Sequence, residues 1–468
     1  MNKIFVQDFN TNDFNCKIYR IDKEESLKYF NTSNKNNVTN KELNLPETEI
    51  EHCNYINLSN KIIYSIMKDE CIEFLNIYDN KFYEVYNTFF NIADAPIILY
   101  YCNKNDPFIV AQTSGYMDFH YVYYVNKKEI IEISPVKVGP EYFLTEMVKT
   151  INYANSIINP NLHVNNFKKY LFFGFTMNVG HHLWNEVSAL YYFLENKDYY
   201  DKIHGIIIGP SDPFNIECIL RTKYTNFNII KFTDIFGSCC RDHYKNLNDI
   251  FPVFLNNFFI DKNIKNLLGD NNIISNDIIN DNNILEISID IRTFSRHLIN
   301  QDTFYTNLIK KMLNDYKNYI IKINFLGYFQ TNTNIININT NEECIAQNKI
   351  VCSIIQNFNE YKNIIFNNFI GDHFSSIKNN TIKSKLFLAT CGTCSSNLLN
   401  WIYNVKTLTI GPVEAYDWIV IQYDVLKNYD ATCSPKEYTL TNNGLQEPFN
   451  IDFDLYYEFF KNKLNELL

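Results

Sequence analysis

The sequence predicts an α/β protein built from two Rossmann-like domains facing a cleft, with an α+β accessory region in front of them. Three observations carry this. From about residue 140 apolar runs of strand length alternate with helical periods, the pattern of parallel strands joined by helical crossovers. The alternation stops at a polar, Asn-rich stretch, "NNIISNDIINDNN" at 271–283, and then restarts. With 468 residues the chain is also too long for one compact core. The boundaries that follow are an accessory region at 1–135, an N-terminal domain at 136–275, a C-terminal domain at 284–440 and a closing helix at 447–468.

In the accessory region, "APIILYYC" and "HYVYYVNKKEIIEISPV" read as strands and "KIIYSIMKDECIEFLNIY" as a helix; nothing there suggests chemistry. The next domain opens with an amphipathic helix, "EYFLTEMVKTINYANSII". Strand "NFKKYLFFGF", helix "HHLWNEVSALYYFLEN", strand "KIHGIIIGP", helix "PFNIECILRTKY" and strand "FNIIKFT" follow. After the linker come five strands, "ILEISIDIRT", "YIIKINFLGY", "KNIIFNNFIG", "SKLFLATCG" and "KTLTIGP". Four helices separate them: "QDTFYTNLIKKMLNDY", "NEECIAQNKIVCSIIQNF", "DHFSSIKNN" and "SSNLLNWIYN". Ligands of such sheets bind at the carboxyl ends of the strands, so a site between the two domains is expected.

Composition narrows the function. Hydrophobic residues are 46% and aromatics 16% of the chain, enough apolar surface to offset the entropy of folding. The net charge is -10, and no block of Lys and Arg could neutralise a nucleic-acid backbone, so nucleic acid is not an expected partner. No stretch approaches the roughly 20 apolar residues of a membrane helix, and the N-terminus lacks an apolar leader. A soluble, cytoplasmic protein is the expectation. The 12 cysteines show no framework spacing and read as buried thiols. Cys391 and Cys394 form one CxxC, but no second ligand pair accompanies it, nor does one accompany the vicinal Cys239 and Cys240.

Four constellations could carry chemistry. "IRTFSRHLINQ" puts Arg292, Arg296, His297 and Asn300 at a strand's carboxyl end, where guanidinium groups suit phosphate oxygens; the plain alternative is surface arginines on an acidic protein. "LATCGTCSSNLLNW" turns through Gly392 and Thr393 into a helix opened by Ser395 and Ser396, whose free amides favour an anion, although either serine is equally a cap. "TIGPVEAYDW" brings Glu414, Tyr416 and Asp417 just beyond the last strand, where a carboxylate can meet ribose hydroxyls or simply solvent.

The fourth is "GHHLWNEVSALYYF". With a helix starting near Gly180, His182 and Glu186 lie one turn apart on one face and His181 shares a neighbouring face with Asn185. A carboxylate that fixes a histidine's tautomer makes it a general base. The alternatives are histidines that satisfy buried backbone groups, and a metal site, for which neither HExxH nor a third ligand is present.

Together "GHHLWNEVSALYYF", "IRTFSRHLINQDTFY" and "TCGTCSSNLLNWIYNVKTLTIGP" resemble the GT-B glycosyltransferases. The likeness is greatest to polysaccharide-type transferases related to glycosyltransferase family 61, in which a glycine-histidine turn with a nearby acidic residue opens a helix of the N-terminal domain. It spans roughly residues 165–420. The resemblance implies transfer of a sugar from a nucleotide-sugar donor to a hydroxyl of a glycan or glycoprotein acceptor. It places the diphosphate near Arg292, Arg296 and the turn from Cys391 to Ser396, the nucleoside near Glu414, and the acceptor near His181, His182 and Glu186. It implies no metal and no cofactor beyond the donor itself. A relative of the same fold that binds glycans without turnover is the alternative, and oligomeric state is left open.

Overall fold

The computed structural model describes residues 3–11, 14–33, 61–68, 72–91, 97–113, 119–133, 140–157, 167–175, 182–209, 212, 216–224, 227–231, 250–255, 264, 283–328, 338–372, 377, 380, 382–391, 405–416, 431–441, 444 and 447–468. Two compact units form, Met1–Ile264 and Lys265–Leu468.

In the first unit β1 (Lys3–Thr11) pairs antiparallel with β2 (Phe14–Ile21), and α1 (Lys23–Ser33) and α2 (residues 61–68) follow. Next come β3 (Glu73–Asn76), β4 (Lys81–Asn91), β5 (Ile97–Cys102), β6 (Phe108–Thr113), β7 (Phe119–Tyr124) and β8 (Glu129–Glu132), with each of β4 to β8 antiparallel to the strand before it. They join one sheet in the order β1-β2-β8-β7-β6-β5-β4-β3. The helix expected through "KIIYSIMKDECIEFLNIY" is corrected here: it is helical over 61–68, and "EFLN" is β3. A short apolar run fits either period, and pairing with β4 decides it.

α3 (Pro140–Ile157) packs on β4 and β5, and a parallel layer follows. It comprises β9 (Lys168–Phe173), a π-helical turn His182–Val187 running into α4 (Ser188–Glu195), α5 (Lys197–Tyr200), β10 (Gly205–Ile208), α6 (Ile216–Lys223), β11 (Asn228–Lys231) and β12 (Ile250–Phe254). The strand order is β11-β10-β9-β12, all parallel. The chain thus winds away from β9 on one side and returns to pair on the other.

β12, which the sequence reading missed, is an edge strand containing Pro252, and its outer edge is closed by side chains of the large sheet. Thr88 donates to the carbonyl of Ile250 at 2.9 Å, Tyr100 Oη lies 2.9 Å from that of Pro252, and Gln112 donates to that of Phe254 at 3.1 Å. Phe254 N–H returns a bond to Gln112 Oε1 at 3.2 Å. Alternate residues of a strand point to one edge, so β4, β5 and β6 each contribute one side chain at every second residue of β12. Proline is tolerated there because, among the described residues, no strand pairs with this edge and needs an N–H from it.

The second unit contains β13 (Ile284–Asp290), α7 (Gln301–Asp315), β14 (Ile320–Leu326), α8 (Ile338–Gln356), β15 (Ile364–Asn368), β16 (Leu386–Thr390), β17 (Thr407–Ile410), β18 (Ala431–Cys433) and α9 (Phe453–Asn465). All six strands are parallel, in the order β15-β14-β13-β16-β17-β18. Five strands were expected; β18, only three residues long, is the sixth. Leu285, Ile287 and Ile289 of β13 meet Phe304, Leu308 and Met312 of α7 and Tyr456, Phe460 and Leu464 of α9 in one core, so the closing helix is part of this unit's packing. No helix among the described residues is long and apolar enough to cross a membrane.

Candidate functional site

The polar stretch that opens α4 folds into a buried cluster. β9 ends at Phe173, and the chain then turns through Gly174, whose φ is +78°, a conformation that favours glycine. β10 ends beside it in parallel register, Ile208 opposite Phe173, and Gly209 N–H donates to Phe173 O at 2.6 Å. A Cβ on Gly209 would lie 2.4 Å from Gly174 O, so the two strand ends can approach this closely only without a side chain there.

Into this corner the π-helical turn delivers His182 and Glu186, both fully buried. A single π-helical turn is a rare local form that recurs at functional sites. Glu186 Oε1 accepts the N–H of Phe175 and Oε2 that of Gly174, each at 3.1 Å, while Oε2 lies 2.5 Å from His182 Nδ1. The carboxylate therefore gathers the two backbone amides left bare after β9 together with one face of the imidazole.

The opposite ring nitrogen faces Asp212, with Nε2 to Oδ1 at 3.5 Å, an ion-pair distance rather than a formed hydrogen bond. Asp212 Oδ2 accepts the N–H of Ile216 at 2.6 Å and so caps α6. Phe173 covers the imidazole with ring centroids 4.7 Å apart. Burial alone would discharge His182; the flanking carboxylates of Asp212 and Glu186 outweigh it and lift the imidazole from 6.5 to about 9. At neutral pH the group is an imidazolium with an N–H directed at each carboxylate.

Sequence spacing found the His182–Glu186 pair but not Asp212. The available signal was an Asp shortly before a helix, a cap signature with no pointer to a histidine 30 positions earlier. His181 lies outside the described residues.

In the second unit the loop after β13 carries the predicted arginines. Arg292 is wrapped by its own loop: Nε donates to the carbonyls of Phe294 at 3.1 Å and Ser295 at 2.7 Å. Arg296 and Asn300 both take left-handed backbone, φ 52° and 55°, and Asn300 precedes α7 without a side-chain cap bond. Gln301 fixes the loop's start. Its amide donates to Arg292 O at 2.5 Å and accepts from Arg292 N at 3.1 Å. Burial pushes the Cys391 thiol up, while Arg296, hydrogen-bonded to it, and Arg292 pull it down. The β13 loop and the end of β16 therefore meet where the chain reverses direction across the sheet. Burial and Arg292 both lower the pKa of His297 and favour its neutral form.

Glu414 sits half-buried in a helical turn, residues 413–416, just past β17. Gly392, Thr393, Cys394, Ser395, Ser396 and Asp417 lie outside the described residues, as do Cys239 and Cys240. Among the described residues no group of three or more His, Cys, Asp and Glu is arranged to hold a metal ion.

No family model and no curated protein matches the chain, so the likeness to family 61 stands on its motifs alone. Among solved structures, a mutant of S. aureus TarM in complex with fondaparinux, alpha-GlcNAc-glycerol and UDP is similar with a TM-score of 0.23 and 10% identity, over 94% of this chain and 79% of that one. A second TarM crystal structure gives a TM-score of 0.21 and 11% identity, over 95% and 82% of the two chains. Superpositions this loose fix neither topology nor chemistry, and the site is read from its own residues.

Proposed function

We propose that the chain is a glycosyltransferase of GT-B type, moving a sugar from a nucleotide-sugar donor to a hydroxyl of a glycan or glycoprotein without a metal ion. The observation that carries this reading is the meeting of Arg292, Arg296 and Cys391 at the carboxyl ends of β13 and β16. With β13 counted first, the sheet follows the 3-2-1-4-5-6 order of dinucleotide-binding folds, in which ligands sit where the order reverses, between the first and fourth strands. The parallel layer of the first unit follows the start of the same order, which supports a second Rossmann-like domain.

In this reading Arg292 and Arg296, followed by Asn300, hold the diphosphate. Gly392, Thr393, Ser395 and Ser396 supply backbone amides to it, and Glu414 takes the nucleoside. Guanidinium groups and a helix terminus then neutralise the departing diphosphate in place of a metal. Removal of the acceptor's proton falls to the cluster that contains His181, His182 and Glu186.

A second reading, a glycan-binding relative without turnover, is favoured by one observation: His182 has no exposed surface and faces a carboxylate on each side. Incubation with UDP-glucose, UDP-N-acetylglucosamine and GDP-mannose separates the two. A transferase releases UDP or GDP in the presence of an acceptor and is stabilised against heat by the free diphosphate. The idle relative shows neither.

A further inference from the structure

Arg292 sets the shape of the loop that carries it. Its Nε holds the carbonyls of Phe294 and Ser295, and its Nη2 lies 3.4 Å from Ser295 Oγ. The tip of the loop is thus fixed from inside, and it presents Phe294 with 74% of its surface exposed. That ring stacks on no other ring among the described residues. An aromatic side chain held out on a pinned backbone meets a ligand at a small cost in ordering.

Beside this loop stands α8, the helix that follows β14, and β14 is the neighbour of β13 on the side away from β16. Gly327, one residue past β14, lets the helix close in: a Cβ there would lie 2.4 Å from Gln347 Oε1 and 3.1 Å from Ile291 O. Gln347 Oε1 accepts the N–H of Tyr328 at 2.9 Å, so this face of α8 is tied to the strand ends. Glu343 lies one turn earlier on the same face and is half-buried. Burial pushes its carboxyl up, Arg292 pulls it back, and Asp290, the last residue of β13, raises it again. Phe294 and Glu343 are both linked to Arg292, the first through its carbonyl and the second through charge.

A nucleotide sugar runs in a line from nucleoside through diphosphate to sugar. With the nucleoside at Glu414 beyond β17 and the diphosphate at the ends of β16 and β13, the third part continues toward β14. We propose that Phe294 and Glu343 form the subsite for the donor's sugar, the ring of Phe294 covering the C–H face of a pyranose and the carboxylate of Glu343 accepting bonds from its hydroxyls. A pyranose is apolar on its C–H face and carries O–H donors around its edge, so one aromatic and one carboxylate answer both parts of its surface. Both residues belong to the second unit. The assignment rests on the glycosyltransferase reading and names, within it, what holds the sugar.

The test is isothermal titration of wild type, Phe294→Ala, Phe294→Trp and Glu343→Gln with UDP-glucose, UDP-N-acetylglucosamine and GDP-mannose, and in parallel with free UDP and GDP. Phe294 is too exposed for its loss to disturb the core, and Gln keeps the shape of Glu343. Phe294→Ala should weaken the sugar nucleotide that wild type binds by about fivefold or more, the loss of an aromatic contact. Glu343→Gln should weaken it by about tenfold, the loss of a hydrogen bond to a charged group. The free diphosphate should bind each variant at least as tightly as wild type, and Phe294→Trp, which keeps an aromatic face, should bind the sugar nucleotide as wild type does. Sugar-nucleotide affinity within twofold of wild type in either Phe294→Ala or Glu343→Gln overturns the proposal. Equal weakening of free diphosphate and sugar nucleotide overturns it too, since that is the mark of a disordered loop. A wild type that binds UDP or GDP but none of the three pyranose donors overturns it and leaves the transferase reading standing. A wild type that binds none of the five ligands overturns that reading, and the proposal with it.

Discussion

Gln301 and Arg292 exchange two hydrogen bonds, the side-chain amide of the first residue of α7 pairing with the backbone N–H and C=O at the end of β13. The loop that presents the arginines thus starts from a fixed point rather than from a free strand end. Gln301→Ala leaves both backbone groups without this partner in a part-buried setting, at a cost of about 0.5–1.5 kcal/mol for each bond lost. Chemical denaturation should show the loss. Titration with UDP or GDP should show weaker binding by the folded variant, because the arginines are no longer pre-positioned. Undiminished binding would separate the loop's order from its role.

The His182 cluster predicts the pH dependence of stability. The folded pKa of about 9 lies above the ordinary 6.5, so the contribution is fully present below about pH 6.5 and is lost as pH rises through 9. Its size is on the order of 3 kcal/mol. Unfolding free energy of wild type should fall between pH 6.5 and 10, and the fall should be shallower in His182→Gln. Equal slopes for the two proteins would show that the imidazole is not held charged between its carboxylates.

On the far side of the same layer, Gln112 closes the outer edge of β12. Gln112→Ala removes a donor from Phe254 O and an acceptor from Phe254 N–H, both buried, and should destabilise the first unit by about 2 kcal/mol or more. Gln112→Glu should be no better, because a carboxylate can accept from Phe254 N–H but repels the carbonyl that the amide served. A thermal melt of each variant measures this.

Part of the second unit was legible because β16 and β17 are buried along their whole length, β16 reading as the apolar run "LFLAT", and because β13 sends alternate residues Leu285, Ile287 and Ile289 into one core. The arginines were found by position, at the end of such a run. Three things escaped. β12 escaped because Pro252 argues against a strand unless the strand lies on an edge, which is where it lies. β18 escaped because three residues carry no period. Asp212 escaped because its link to His182 runs through the pairing of β9 with β10, a long-range register that no spacing along the chain encodes. Gln301 read as an ordinary helix residue, since nothing in one sequence marks an amide that bonds back to a strand end.

The central claim is that the second unit grips a nucleoside diphosphate through Arg292 and Arg296. Isothermal titration of wild type, Arg292→Ala and Arg296→Ala with UDP and with GDP tests it most directly. The account predicts that one of the two nucleotides binds and that each substitution weakens binding by at least about tenfold, the equivalent of roughly 1.4 kcal/mol for a lost charged hydrogen bond. Failure of both nucleotides to bind, or equal affinity in all three proteins, would contradict it.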